Sequence, residues 1–79
     1  MAVLKSYDIP KEGLKLEMLD LGGGRFGFHL YRREGGDWVR RAEFDAGEYG
    51  DLSTAEAAAA RLVPGFAEVL FADRLGGGA

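Results

Sequence analysis

Residues 26–33 read Phe-Gly-Phe-His-Leu-Tyr-Arg-Arg, and this stretch decides the fold. Phe26, Phe28 and Leu30 alternate with glycine or polar residues. A period of two is typical of a strand that buries one face and leaves the other in solvent. We therefore predict a β-strand here and take it as the reference from which the rest of the chain is placed.

Two further strands are predicted before this one. The apolar residues of segment 14–21 alternate over most of its length, and the three glycines at 22–24 end it. Segment 1–13 holds a short apolar run followed by turn residues, which favours a short edge strand. The first half of the chain thus predicts neighbouring strands joined by turns.

A fourth strand is predicted over residues 38–45, after the turn residues 34–37. Residues opposite each other in an antiparallel pair share a face, so the apolar residues of both strands should meet. A register that pairs Phe28 with Phe44 and leaves residues 35–37 as the loop satisfies this rule. The outer face of the hairpin then carries His29, Tyr31, Arg33, Val39, Arg41 and Glu43.

The C-terminal part of the chain predicts helices. After a glycine-spaced loop at 46–52, Ser53 and Glu56 have the spacing of a capping box, and an alanine-rich helix follows to about Leu62. Pro64 and Gly65 break it, and a second helix follows, for which a strand is the alternative. The predicted core is Leu16, Met18, Phe26, Phe28, Leu30, Trp38, Phe44, Leu62, Phe66, Val69 and Leu70.

Composition agrees with one small domain. The chain has 79 residues, of which 47% are hydrophobic and 29% charged, and it has no cysteine. We predict a single α+β domain at 1–75, with an antiparallel sheet of three to four strands and one or two C-terminal helices packed on one face. We expect residues 76–79 to form a disordered glycine-rich tail. Without disulfides, signal peptide or apolar span, we expect a cytoplasmic protein, monomeric or homodimeric.

Chemistry-bearing motifs are few. The glycines of residues 22–27 match G-x-G-x-x-G, but a strand rather than a helix follows, so we interpret them as a hairpin and not as a phosphate cradle. The lone His29 has no partners for a catalytic triad or a metal site, and we place it on the outer sheet face. We therefore expect no catalytic, cofactor-binding or metal-binding residues and no enzyme activity.

Charge is segregated along the chain. Residues 42–60 hold five acids and neither Lys nor Arg, whereas residues 25–41 hold five arginines. One interpretation is a solvated surface that keeps the protein soluble. The other is a docking surface for a protein with a basic face. Its predicted contact set is Glu43, Asp45, Glu48, Tyr49, Asp51 and Glu56.

In its size, acidity, lack of cysteine and order of elements, including the break at residues 62–65, the chain resembles small phage-encoded anti-CRISPR proteins that inhibit type I interference complexes. The resemblance is one of architecture, and no functional residue is carried over from it. It implies an inhibitor that acts in a bacterial host cell, binds a Cas subunit and blocks recognition of target DNA. From the acids of residues 42–60 and the lack of an apolar span, we expect no direct contact with nucleic acid or membrane.

Two alternatives remain open. One is an antitoxin-like or other small bacterial regulatory module. The other is a small nucleic-acid-binding protein that uses the arginine-rich hairpin at 25–41, although the pI near 5.0 opposes phosphate binding. Those arginines also lack the interleaved exposed aromatic residues of a base-stacking platform.

Overall fold

A computed structural model of the chain describes residues 1–77. Within them, an antiparallel sheet and two helices confirm the predicted α+β fold. The elements are β1 (Ala2–Ile9), β2 (Leu14–Gly22), β3 (Arg25–Glu34), β4 (Asp37–Arg40), β5 (Ala46–Tyr49), α1 (Leu52–Leu62) and α2 (Phe66–Ala72). The second helix is thereby confirmed over the strand alternative.

The sheet is a meander, and its edge beyond β3 consists of two short strands. Strands β1 to β4 lie in chain order, and β5 pairs with β3 beside β4. A 3₁₀ turn at Ala42–Phe44 separates β4 from β5, so the two short strands pair with β3 one after the other. Both helices pack on one side of the sheet. We call this side the covered face and the other side the open face.

The register predicted for the β3–β4 hairpin is wrong. Tyr31 pairs with Arg40 and Glu34 with Asp37, which leaves a loop of Gly35 and Gly36 alone. Both glycines have positive φ, 59° and 90°, as the tight two-residue hairpin turn requires. With positive φ at both positions, the turn has a twist that matches the right-handed twist of the strands, and it shifts β4 by one residue from the predicted register.

The shift also changes what pairs with the other end of β3. Phe28 pairs with Ala46 and Phe26 with Tyr49, so β5 takes the place that the prediction gave to Phe44. The glycine-spaced segment predicted as a loop is therefore a strand in its first half. Phe44 itself packs, partly buried, against the edge of the core.

The core lies between the covered face and the helices, and most of its predicted members are there. Leu16, Met18, Phe28, Leu30 and Phe66 are buried, and Phe26, Phe44, Val69 and Leu70 pack against them partly buried. Trp38 and Leu62 are wrong, since they are 38% and 52% exposed. Trp38 lies on the open face, and Val63, the next residue after α1, is buried in place of Leu62.

Helix α1 packs through alanines. Ala55, Ala58 and Ala59 are at most 1% exposed, and their small side chains let the helix backbone come close to the sheet. The core also takes in Tyr7 and Ile9 of β1, which the sequence analysis did not include. The alanines that favour the helix through their high helix propensity therefore also form its packing surface.

The predicted capping box is wrong. Asp51, not Ser53, caps α1, and its Oδ1 accepts a hydrogen bond of 2.7 Å from the Thr54 amide. Aspartate is as good a cap as serine and comes two residues earlier, so the helix begins at Leu52 and Ser53 lies exposed in its first turn. Glu56, the other half of the predicted box, bonds Arg74 instead.

Gly65 joins the two helices. Its φ is +81°, and a Cβ on it would lie 2.8 Å from Cγ2 of Ile9. Immediately after it, Phe66 packs edge-on against Tyr7 with ring centroids 5.1 Å apart. The break predicted at Pro64 and Gly65 is thus confirmed, and it fixes the start of α2 against β1.

Beyond α2 the chain makes a wider helical turn at Asp73–Gly77. The tail predicted for 76–79 begins inside this turn, and residues 78–79 lie outside the described residues. None of the helices in the described part of the chain is long and apolar enough to cross a membrane.

Candidate binding surface

Four of the five acidic residues predicted for the contact set have hydrogen-bond partners within the protein. Arg41 donates to Glu43, with Nη2 2.6 Å from Oε2, and this hydrogen bond lowers the pKa of Glu43. Arg40 pairs in the same way with Asp45. The premise that the acids of residues 42–60 are uncompensated is therefore wrong, because arginines just outside that window neutralise two of them.

Other members of the set have structural tasks. Asp51 caps α1, and the hydrogen bond from the Thr54 amide lowers its pKa. Glu56 is only 7% exposed and pairs with Arg74. Glu56 and Arg74 lie on different elements of the fold and are 18 residues apart in the chain. A local count of charges along the sequence therefore could not reveal the pair.

The last two members of the set lie on β5. The Tyr49 ring is half-buried and stacks on Phe28, with centroids 6.3 Å apart and an angle of 10° between the planes. The ring packs at the margin of the core. The sequence analysis treated residues 46–52 as a loop, and no hydrophobic periodicity in that segment placed Tyr49 in a core. Glu48, by contrast, is exposed.

A different group of side chains stands out on the open face. The register pairs Lys15 with Tyr31 and Arg33 with Trp38, so all four side chains share that face. Lys15 Nζ lies 4.9 Å from the Tyr31 ring centroid and 5.2 Å from that of Trp38. Arg33 Cζ lies 5.7 Å from the Trp38 centroid. Aromatic rings and cations thus alternate, and we call these four residues the ladder.

The ladder is held from both ends. The Tyr31 hydroxyl donates a 2.8 Å hydrogen bond to Glu17, which raises the pKa of the phenol. At the other end, the Arg33 amide donates to the Gly13 carbonyl at 2.9 Å and ties β3 to the β1–β2 turn. Each cation–π contact contributes about 0.5–1 kcal/mol at an exposed site, so the ladder positions side chains without contributing much to folding.

The two cations of the ladder remain available to bind another molecule. Among the described residues, neither Lys15 nor Arg33 forms an ion pair, whereas Arg40 on the same face is paired with Asp45. Trp38 is 38% exposed beside them. The ladder therefore offers an approaching molecule an apolar ring flanked by two positive charges.

A cleft adjoins the ladder. Its volume is about 450 Å³. It is lined by Asp8, Pro10, Gly13, Leu14, Arg33 and Trp38. This combination of an apolar wall with a few charged groups is suited to receive a side chain of a partner.

The sequence analysis placed only part of this surface. His29, Tyr31 and Arg33 are confirmed on the open face, but Val39 is wrong, since it pairs with Arg32 on the covered side. The expectation that no exposed aromatic residues lie among the basic ones is also wrong. The one-residue shift of β4 turns Trp38 onto the open face. Only the length of the turn, two residues instead of three, could have shown this from the sequence.

Within residues 1–77, no three metal-ligating side chains come together in a group that could hold a metal ion. Comparisons with protein-family models, with curated proteins and with solved structures found no match.

Proposed function

We propose that this protein is a small non-enzymatic module that docks onto a protein partner through the open face of its sheet. The observation that carries the proposal is the ladder, in which half-exposed aromatic rings alternate with unpaired cations. Trp, Tyr and Arg are the residue types that dominate binding energy at protein interfaces. On a sheet face that no helix covers, residues of these types indicate binding to another molecule rather than a role in folding stability.

The charge balance of the open face favours a protein over a nucleic acid. Its cations are Lys15, Arg25, Arg33 and Arg40, and its acids are Asp8, Glu17, Asp45 and Glu48. Phosphate-backbone binding needs a net positive surface, and this face is balanced while the whole chain has a net charge of −3. A partner with a carboxylate beside an apolar side chain matches it better.

The inhibitor function implied by the resemblance to anti-CRISPR proteins is a specific form of this proposal. A module without chemistry of its own acts by occupying a surface that its partner needs. Expression of the chain in a bacterium with an active type I system should then restore transformation by a targeted plasmid. Unchanged interference would exclude that inhibitor function for the system tested and leave the docking proposal to its own test.

The docking proposal is tested by comparing variants in affinity capture from a bacterial lysate. Trp38→Ala and Arg33→Glu should lose a protein that the wild-type chain retains. Matched controls are Leu62→Ala and Arg61→Glu, because both residues are exposed at the end of α1. The proposal fails if the captured protein binds all four variants alike, or if the chain binds nucleic acid in a salt-sensitive mobility shift instead.

A further inference from the structure

The cleft beside the ladder has walls that backbone hydrogen bonds hold in place. One wall is the turn between β1 and β2, where the Gly13 amide donates to the Pro10 carbonyl at 3.2 Å. The 2.9 Å hydrogen bond from the Arg33 amide to the Gly13 carbonyl ties this turn to β3. Trp38 of β4 is the cross-strand neighbour of Arg33 and forms the other wall. The cleft therefore needs no rearrangement of the backbone to accept a ligand.

The charged groups at the cleft have no charged partners within the protein. In the described part of the chain, none of Asp8, Lys15 and Arg33 forms an ion pair. Asp8 lies opposite Lys15 in the register of β1 and β2, yet Lys15 Nζ contacts the rings of Tyr31 and Trp38. Two cations and one acid thus leave one positive charge in excess. A ligand with a single negative charge balances this group, whereas a run of acids would also be repelled by Asp8.

We infer that the cleft binds the C-terminal residue of a partner protein, with its α-carboxylate on Arg33 and an apolar side chain against Trp38. This C-terminal site deepens the docking function proposed above and rests on it. A guanidinium binds a carboxylate through two parallel hydrogen bonds. Lys15 Nζ and Arg33 Cζ lie 5.2 Å and 5.7 Å from the Trp38 centroid, so a carboxylate beside the ring is attracted by both cations.

A chain terminus fits the cleft better than an internal acidic residue does. A C-terminal residue carries its carboxylate and its side chain on one Cα atom, so a single residue supplies both contacts. An internal Asp or Glu needs an apolar side chain from a neighbouring residue, and its chain must also leave the cleft. The volume of about 450 Å³ is near the lower end of the range for ligand pockets, which suits one residue better than an extended segment. Capture of a C-terminal carboxylate is a recurring mode of peptide recognition.

Nuclear magnetic resonance titration of the isotope-labelled full chain tests the inference. The probe is the peptide acetyl-Gly-Ser-Gly-Leu with a free C-terminal carboxylate, and the control is the same peptide with a C-terminal amide. The free acid should shift the backbone amide of Gly13 and the indole N–H of Trp38. It should bind about tenfold or more tightly than the amide, which lacks the charge that strengthens the hydrogen bonds. Equal affinity of the two peptides, or no shift with either, would overturn the inference.

A third peptide tests the terminus against an acidic side chain. Acetyl-Gly-Glu-Leu-Gly amide carries one carboxylate beside one apolar side chain but has no free terminus. It should bind more weakly than the free acid, and binding as tight as that of the free acid would assign the cleft to an internal acidic segment instead.

Variants of the cleft test the role of each charge. Arg33→Gln should remove most of the preference for the free acid, whereas Arg61→Gln, at an exposed position at the end of α1, should keep it. Asp8→Asn removes the acid of the cleft and should strengthen binding of a peptide that ends in Asp more than binding of the peptide that ends in Leu. Circular dichroism checks that each variant folds. A full preference in Arg33→Gln, or unchanged discrimination in Asp8→Asn, would contradict the assignment.

The peptide and lysate experiments separate this inference from the proposed docking function. If Trp38→Ala and Arg33→Glu lose the captured protein but the chain binds free acid and amide alike, docking stands and C-terminal recognition is wrong. If those variants retain the captured protein, both are wrong. Deletion of the last residue of the captured protein should weaken its binding to the wild-type chain, and unchanged binding would overturn the inference.

Discussion

The covered and open faces of the sheet are built from the same strands but held in different ways. In β3, Phe28 and Leu30 point to the helices and are at most 1% exposed, whereas His29 and Tyr31 on the other side are half-buried. Burial of apolar surface organises the covered face. On the open face Leu19 is buried near one end of the strands, and cation–π contacts with one hydrogen bond organise the ladder. We therefore expect changes on the covered face to unfold the protein and changes on the open face to alter binding.

The strongest test of this difference is Phe28→Ala. Phe28 is 0% exposed, stacks on Tyr49 and lies at the centre of the core, so its truncation should lower the free energy of unfolding by about 3–5 kcal/mol. The measurement is urea denaturation followed by circular dichroism. Tyr31→Ala, on the open face of the same strand, is the control and should cost much less. Equal losses for the two variants would contradict the distinction between the faces.

The next largest effect is expected at the junction of the helices. Gly65→Ala forces an alanine into a left-handed conformation and sets its Cβ against buried Ile9, so the free energy of unfolding should fall by about 2–4 kcal/mol. Gly50→Ala is the control, because a Cβ at Gly50 meets nothing within 4 Å. A Gly65→Ala protein as stable as Gly50→Ala would mean that α2 is not fixed to β1 through this contact.

A smaller effect is expected at the start of α1, with a pH dependence. Asp51→Ala should lower the urea midpoint, and Ser53→Ala should not, because only Asp51 caps the helix. The pKa of Asp51 is lowered below its ordinary 3.8 in the folded state, so its stabilisation is complete above that value and is lost as the pH falls through the lower, folded pKa. The midpoints of wild type and Asp51→Ala should therefore converge in acid. Asp51→Asn, which still caps, should lie close to wild type at neutral pH.

The smallest effect on stability is expected on the open face. Arg33→Glu removes one cation–π contact from an exposed position and should change the free energy of unfolding by no more than about 1 kcal/mol. Trp38 is the only tryptophan of the chain, so its fluorescence should change in the folded variant. Arg61→Glu should leave that fluorescence unaltered. A large loss of stability in Arg33→Glu would show that the ladder supports the fold and would remove the contrast between the faces.

The sequence predicted those parts of the fold that local patterns determine. The alternation at Phe26, Phe28 and Leu30 predicted β3, and Pro64 with Gly65 predicted the break between the helices. The register of the hairpin depended instead on the loop that Gly35 and Gly36 prefer.

The candidate site was harder to predict because it is assembled from residues far apart in the chain. Lys15 comes to Trp38 only through the pairing of β2, β3 and β4. Three acids of the predicted contact set likewise have arginine partners from outside residues 42–60, and for Glu56 the partner is Arg74. A count of charges along the sequence does not contain these pairings, whereas a correct register would have shown the ladder.

The meander described above also determines how the chain should reach its native state. Strands β1 to β4 each pair with the next strand in sequence through short turns, so these hairpins close small loops and can form early. The contact between Lys5 and Asp73 joins residues 68 apart and should form late, when α2 docks. In native-state hydrogen exchange, the amides of the central strands β2 and β3 should therefore exchange slowest, and those of the last helical turn should exchange first.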